Sequence, residues 1–157
     1  MFFLVMYGLA LGTATVHLFR DGTSRTRARV IDIYLLHLLT ITYGVGGVLA
    51  FIGHKFRGEE TAQSIGWPSG NPFQEEVAFA NLGYGILGLL CSRLRGAFWS
   101  ASGVGASVFY LGAAVIHIEE ARKQGNYAIN NAGAILPDLM IPLTVLTLLF
   151  ARKQRPT

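Results

Sequence analysis

Cysteine is almost absent: Cys91 is the only one in 157 residues, so no disulfide can close within the chain and no Cys-rich zinc or iron–sulfur site can be built. Charge is scarce too. Asp, Glu, Lys and Arg make up 14% of the chain, against roughly 25% in soluble domains, which excludes an ordinary water-soluble globule. A phosphate-cradling glycine loop, a nucleophile elbow, a zinc-protease helix and a dinucleotide fingerprint are all missing. Energy-driven transport by this chain alone is therefore unsupported. Polar–apolar alternation with a period of two is also lacking, which argues against a transmembrane barrel.

What the chain has in excess is apolar sequence, with 52% hydrophobic residues and a mean hydropathy of +0.43. Runs approaching the roughly 20 residues needed to cross a bilayer occur at about residues 1–19, 30–52, 73–90, 97–118 and 133–151. They predict an all-α integral membrane bundle of five transmembrane helices, forming one domain over 1–157, multi-pass in a cell inner membrane or plasma membrane. Its first partner is the lipid bilayer. The apolar start lacks a basic leader and is followed by arginines, so it reads as a retained span and not as a cleaved signal.

Basic residues set the orientation, because Lys and Arg near span ends stay cytoplasmic. Arg20, Arg25, Arg27, Arg29, Arg93, Arg95, Arg152, Lys153 and Arg155 fall on one side, and only Lys55, Arg57, Arg122 and Lys123 on the other. This places the amino terminus outside and the carboxyl terminus in the cytoplasm. A pI near 9.5 does not indicate nucleic acid, since the basic residues form short juxtamembrane clusters without interleaved aromatics. They are topogenic and suited to anionic headgroups.

Between the second and third spans runs a long external loop, Gly53 to Pro72, which ends with Asn71 as a helix N-cap, Pro72 at the first helical position and Gln74 at the capping-box position. Trp67 is expected at headgroup level. A second loop, Gly125 to Gly133, carries Asn126, Asn130 and Asn131 and suits a folded turn. Pro137 and Pro142 predict a kink in the last span. Glycines offer close helix approach at Gly8 and Gly12, at Gly44, Gly46 and Gly47, at Gly83, Gly85 and Gly88, and at Gly103, Gly105 and Gly112.

Seven of the nine acidic residues fall at the external side: Glu59, Glu60, Glu75, Glu76, Glu119, Glu120 and Asp138. Ionisable groups at membrane depth are costly, and by default they mark a functional site. Tyr110, His117 and Glu120 share one helical stripe, so one external cavity is expected to collect His117, Glu120, Glu76 and Asp138, with Asn81 and His54. Each has a structural reading as well. Glu75 and Glu76 serve as first-turn acids, Glu119 and Glu120 pair with Arg122 and Lys123, and Asp138 caps a broken helix. No catalytic residue and no cofactor is assigned. A carboxylate–histidine metal centre from Glu76, His117, Glu120 and Asp138 has the right donors but lacks the paired Glu-x-x-His signature of di-iron bundles. Haem between His54 and His117 has only matched depth in its favour. His37 reads as a histidine bonded to a neighbouring helix.

The segments Gly66-Trp67-Pro68-Ser69-Gly70-Asn71-Pro72-Phe73-Gln74-Glu75-Glu76 and Asn130-Asn131-Ala132-Gly133, with His117 upstream, resemble a family of small prokaryotic multi-span integral membrane proteins known only as a domain of unknown function. The resemblance covers roughly residues 30 to 151. It maps the family's recurring positions onto His117, Trp67, Pro68, Gln74, Glu76, Asn131, Gly133 and Asp138. Ile129-Asn130 stands where relatives have Pro-Gly. The resemblance implies an integral membrane protein and supplies no reaction.

Three functions remain open on the residues. The first is an external polar pocket binding a small or lipid-like ligand, or a membrane protein partner, through His117, Glu76, Glu120, Asp138, Trp67, Asn131 and Asn81. The second is an acid–base enzyme acting on an apolar substrate through His117 with Glu76 or Glu120, resembling five-span sterol isomerases only in span count and in using His and Glu. The third is a structural subunit of a larger complex or a homo-oligomer, suggested by short tails and glycine-rich faces.

Overall fold

Apolar segments of this length bury their backbone groups by forming helices, and every regular element among the described residues is helical. The computed structural model describes residues 2–153. Met1 of the first expected span and Arg155 of the basic tail lie outside the described residues, as does the Lys153 side chain. The order is α1 (Phe2–Arg20), α2 (Arg27–His37), a π-helical stretch (Leu38–Val45), α3 (Gly46–Phe56), α4 (Gly58–Ile65), α5 (Phe73–Leu90), α6 (Ala97–Gln124) and α7 (Ile129–Lys153).

Four helices are long and apolar enough to cross a membrane: Phe2–Arg20, the continuous rod Arg27–Phe56, Ala97–Gln124 and Ile129–Arg152. The expected third span is α5, and it is not among them. Its 18 residues would reach about 27 Å, but Gln74, Glu75, Glu76 and Asn81 dilute its apolar character. Other expected boundaries shift outward. The rod extends both ends of 30–52, α6 continues six residues past Ile118, and α7 begins at Ile129, before Gly133. The expected long loop contains α4, whose left-handed C-cap is Gly66. Pro137 and Pro142 sit inside α7 without interrupting it. Pro142 nonetheless removes the donor that the Asp138 carbonyl would have met.

Asn71 Oδ1 accepts from Phe73 N at 3.0 Å, but α5 starts at Phe73 with Pro72 in the cap position, one residue later than expected. Gln74 does not complete a capping box: its Nε2 reaches the Gly58 carbonyl and ties the start of α4 to α5.

The glycines divide sharply. A Cβ at Gly47 would lie 2.7 Å from the Asn81 carbonyl and 2.9 Å from Gly85 Cα, and one at Gly88 would lie 2.7 Å from Gly44 Cα. The rod and α5 thus meet backbone to backbone, and the π-helical stretch lies against this contact. Gly103 packs against Leu149 and Val145 between α6 and α7. Gly8, Gly12, Gly83 and Gly112 face open space, and Gly105 has nothing closer than 4.0 Å. These five do not mediate the close approach expected of them.

Leu35, Leu38, Leu39, Tyr43, Trp99 and Ile141 form the core beneath this contact. At the end bearing the 21–26 turn, Arg152 pairs with Asp32 at 2.9 Å, and Arg95 and Arg152 each lie 5.2 Å from the Trp99 ring centre. The Arg29 guanidinium beside Asp21 holds that carboxyl at about 2, below the usual carboxylate range. His37 bonds to Thr13 at 2.9 Å and to His17 at 3.0 Å, the helix-to-helix role expected of it.

Candidate functional site

The opposite end is organised by the turn between α6 and α7. Gly125 closes α6 in the left-handed conformation, and the chain re-enters helix at Ile129 after three residues. Asn126 reaches across to α4, donating from Nδ2 to the Ile65 carbonyl at 3.0 Å. It sits so close that a Cβ on Gly66 would lie 2.5 Å from its Oδ1. With φ at +79°, Gly66 is thus required by both conformation and space. Asn130 Nδ2 donates to Ser64 Oγ at 3.1 Å. Anchored at these points, the loop after α4 lays Trp67 over His117, with ring centres 5.7 Å apart and planes 21° from parallel.

His117 is held from behind by Asn131, which is fully buried. Asn131 Nδ2 donates to the carbonyls of His117 at 3.2 Å and Asn126 at 2.7 Å. Its Oδ1 therefore has to be the atom facing the imidazole, and His117 Nδ1 donates to it at 2.6 Å. In the neutral ring Nε2 is then a lone-pair acceptor. It lies 3.8 Å from Oδ2 of Asp138, two helical turns from Asn131 on the same face of α7. One face of α7 thus supplies both the group that orients His117 and the carboxyl group in front of it.

In front of this pair opens a cavity of about 620 Å³, within the size range of small-molecule sites. Its walls are mostly apolar, from Phe3, Leu49, Val77, Val108, Phe109 and Ile116. Polar atoms are few and deeply set. Asp138 is 3% exposed, Tyr110 2% and His117 9%. Tyr110 Oη and His54 Nδ1, both in the lining, are buried without a hydrogen-bond partner among the described residues. Asn81 faces the cavity while its Nδ2 donates to the Val77 carbonyl at 2.9 Å, which leaves Oδ1 available.

The structure brings together His117, Asp138, Asn81, Trp67 and His54 from the expected set. Asn131 stands behind His117 and outside the lining. Glu120 turns to an adjoining pocket of about 320 Å³ with Trp67, Gln74 and Val77. Glu76 is exposed and lines neither space, and its neighbour Glu75 pairs with Lys55 at 2.9 Å. The reason is rotational: at the start of α5, Val77 and Asn81 take the inward face, so the residue before Val77 points away. No group of three His, Cys, Asp or Glu side chains able to hold a metal forms among the described residues, so the four expected donors do not converge. Sequence reasoning placed Asn126 in the turn but missed its bond across to α4, and it missed the α1 residues Phe2 and Phe3, which close one wall. The contact partner of a turn residue depends on the packing of distant elements, and nothing in the pattern of α1 marks Phe2 and Phe3.

The chain belongs to the family of unknown function DUF6790, whose model matches residues 1–157. No curated protein and no solved structure matches it.

Proposed function

We propose that this chain is a five-span membrane protein with its amino terminus outside, α5 being the remaining span, and that its outward cavity binds a small, lipid-like ligand. The observation that carries the reading is the cavity itself: a mostly apolar space of about 620 Å³ into which Asp138, Tyr110 and the Asn131-oriented His117 are set. Apolar walls with a few fixed polar atoms are the pattern of a site that buries a hydrocarbon chain and orients its headgroup. Trp67, Asn81, His117 and Asp138 contact the ligand in this account, Asn131 positions His117, and Glu120 serves the adjoining pocket. Support for α5 as a span comes from its glycine-mediated fit along the rod.

Orientation is tested by labelling with a membrane-impermeant maleimide in a Cys91→Ala background. Exposed Ser69→Cys, beside Trp67, is expected to react in intact cells, and exposed Ser24→Cys, in the arginine-rich turn, only after permeabilisation. The reverse pattern overturns the orientation. Ligand binding is tested by mass spectrometry of what remains bound after purification in mild detergent. A stoichiometric small molecule is expected on the wild type and about tenfold less on His117→Ala, the equivalent of 1.4 kcal/mol. A second reading, proton transfer on the bound molecule, is favoured by the single fixed tautomer of His117 facing Asp138. Its signature is a chemically altered ligand that disappears in the same variant.

A further inference from the structure

We propose that the ligand is an amphiphile headed by a primary ammonium group, which sits between Asp138 and His117 with its alkyl chain along the apolar wall. The inference rests on the ligand-binding reading above. Among the described residues the one partner of the Asp138 carboxyl group is His117 Nε2, and at 3.8 Å that separation exceeds a hydrogen bond. With His117 neutral and its proton committed to Asn131, and with Asp138 ionised, both atoms are acceptors. Two acceptors facing each other at this distance, 3% and 9% exposed, leave a gap that a donor bearing two hydrogens fits. A nitrogen about 2.8 Å from each atom spans it.

Charge narrows the class. The lining contains no Lys and no Arg among the described residues, so an anionic headgroup would add to the cost of a carboxylate at membrane depth. A quaternary ammonium has no N–H to give to His117. A fatty alcohol has one hydrogen and can serve only one of the two acceptors. A primary ammonium supplies the charge, a hydrogen for each acceptor and a third for another acceptor of the lining, such as Tyr110 Oη or Asn81 Oδ1. The aromatic rings of Phe3, Phe109 and Tyr110 in the same walls suit a cation.

The test titrates the full-length protein in detergent with decylamine, decanol and decanoate, following the thermal midpoint. Phe2 and Phe3 line the cavity, so a chain-end ammonium would compete; protein with a free and with an acetylated amino terminus is therefore compared. Decylamine is expected to bind at least tenfold more tightly than decanol and decanoate to the acetylated protein, and Asp138→Asn is expected to lose that preference. Decanol binding as tightly as decylamine to both wild-type forms overturns the ammonium assignment and leaves the ligand site standing. Binding of none of the three overturns both. The wild-type comparison decides the matter even if the variant does not fold.

Discussion

Gly47→Ala lowers the thermal midpoint of the purified protein by about 10 °C, whereas Gly83→Ala leaves it unchanged or raises it. The added methyl group at position 47 would lie 2.7 Å from the Asn81 carbonyl and 2.9 Å from Gly85 Cα. These are backbone atoms of α5, so the clash cannot be relieved by a side-chain rotation, and the rod and α5 must separate. Overpacking of this kind costs about 3 kcal/mol, and each kcal/mol moves the midpoint of a chain this size by about 2–4 °C. At Gly83 nothing lies within 4 Å of the new atom, and Ala gains roughly 0.5–1 kcal/mol of helix preference. Thermal unfolding in one detergent checks both variants. Equal effects at the two sites would show that the rod and α5 do not meet through Gly47. Because Asn81 lines the cavity from the same contact, Gly47→Ala is also expected to weaken ligand retention.

The second large effect is at Asn131. Replacement by Leu keeps the bulk but strips the donor from two carbonyls, those of His117 and Asn126, and the acceptor from His117 Nδ1. Each buried polar group left without a partner costs about 1–3 kcal/mol. A loss of about 4 kcal/mol is expected, at the upper end for single substitutions. The imidazole is then free to change tautomer, so the ¹⁵N spectrum of His117 is expected to shift from one Nδ1-protonated form to a mixture. A variant as stable as the wild type, with one unchanged tautomer, would remove Asn131 from its positioning role.

The sequence could be read furthest where a rule of period applies. Tyr110 and His117, seven residues apart, and Asn131 and Asp138, also seven apart, are matched helical faces, and the cavity is built where those two faces meet. The same rule failed at Glu76, because choosing a face of α5 needs to know what the helix packs against. Gly47 and Gly85 fix that face through the rod, and no glycine count reveals which of the candidate glycines make contact. Helix α4 was hidden by its brevity: eight residues are marginal as an isolated helix, and it is stabilised by Gln74, Asn126 and Asn130 reaching it from elsewhere. The span boundaries erred at polar ends. The turn Glu119 to Gln124 is helical although hydrophilic, with Lys123 paired to Glu119 at 3.1 Å, and hydropathy alone ends a span before such a turn.

The most direct measurement fills the cavity. Ala113, on the α6 face that carries Tyr110 and His117, lines it, and Ala113→Trp places an indole in the space that the ligand is proposed to occupy. Native mass spectrometry of wild type and variant, released from the same membrane preparation, is expected to show one small molecule bound to the wild type and none to Ala113→Trp, with both proteins folded. An unliganded wild type, or a ligand retained equally by the filled variant, would contradict a ligand-binding role for this cavity.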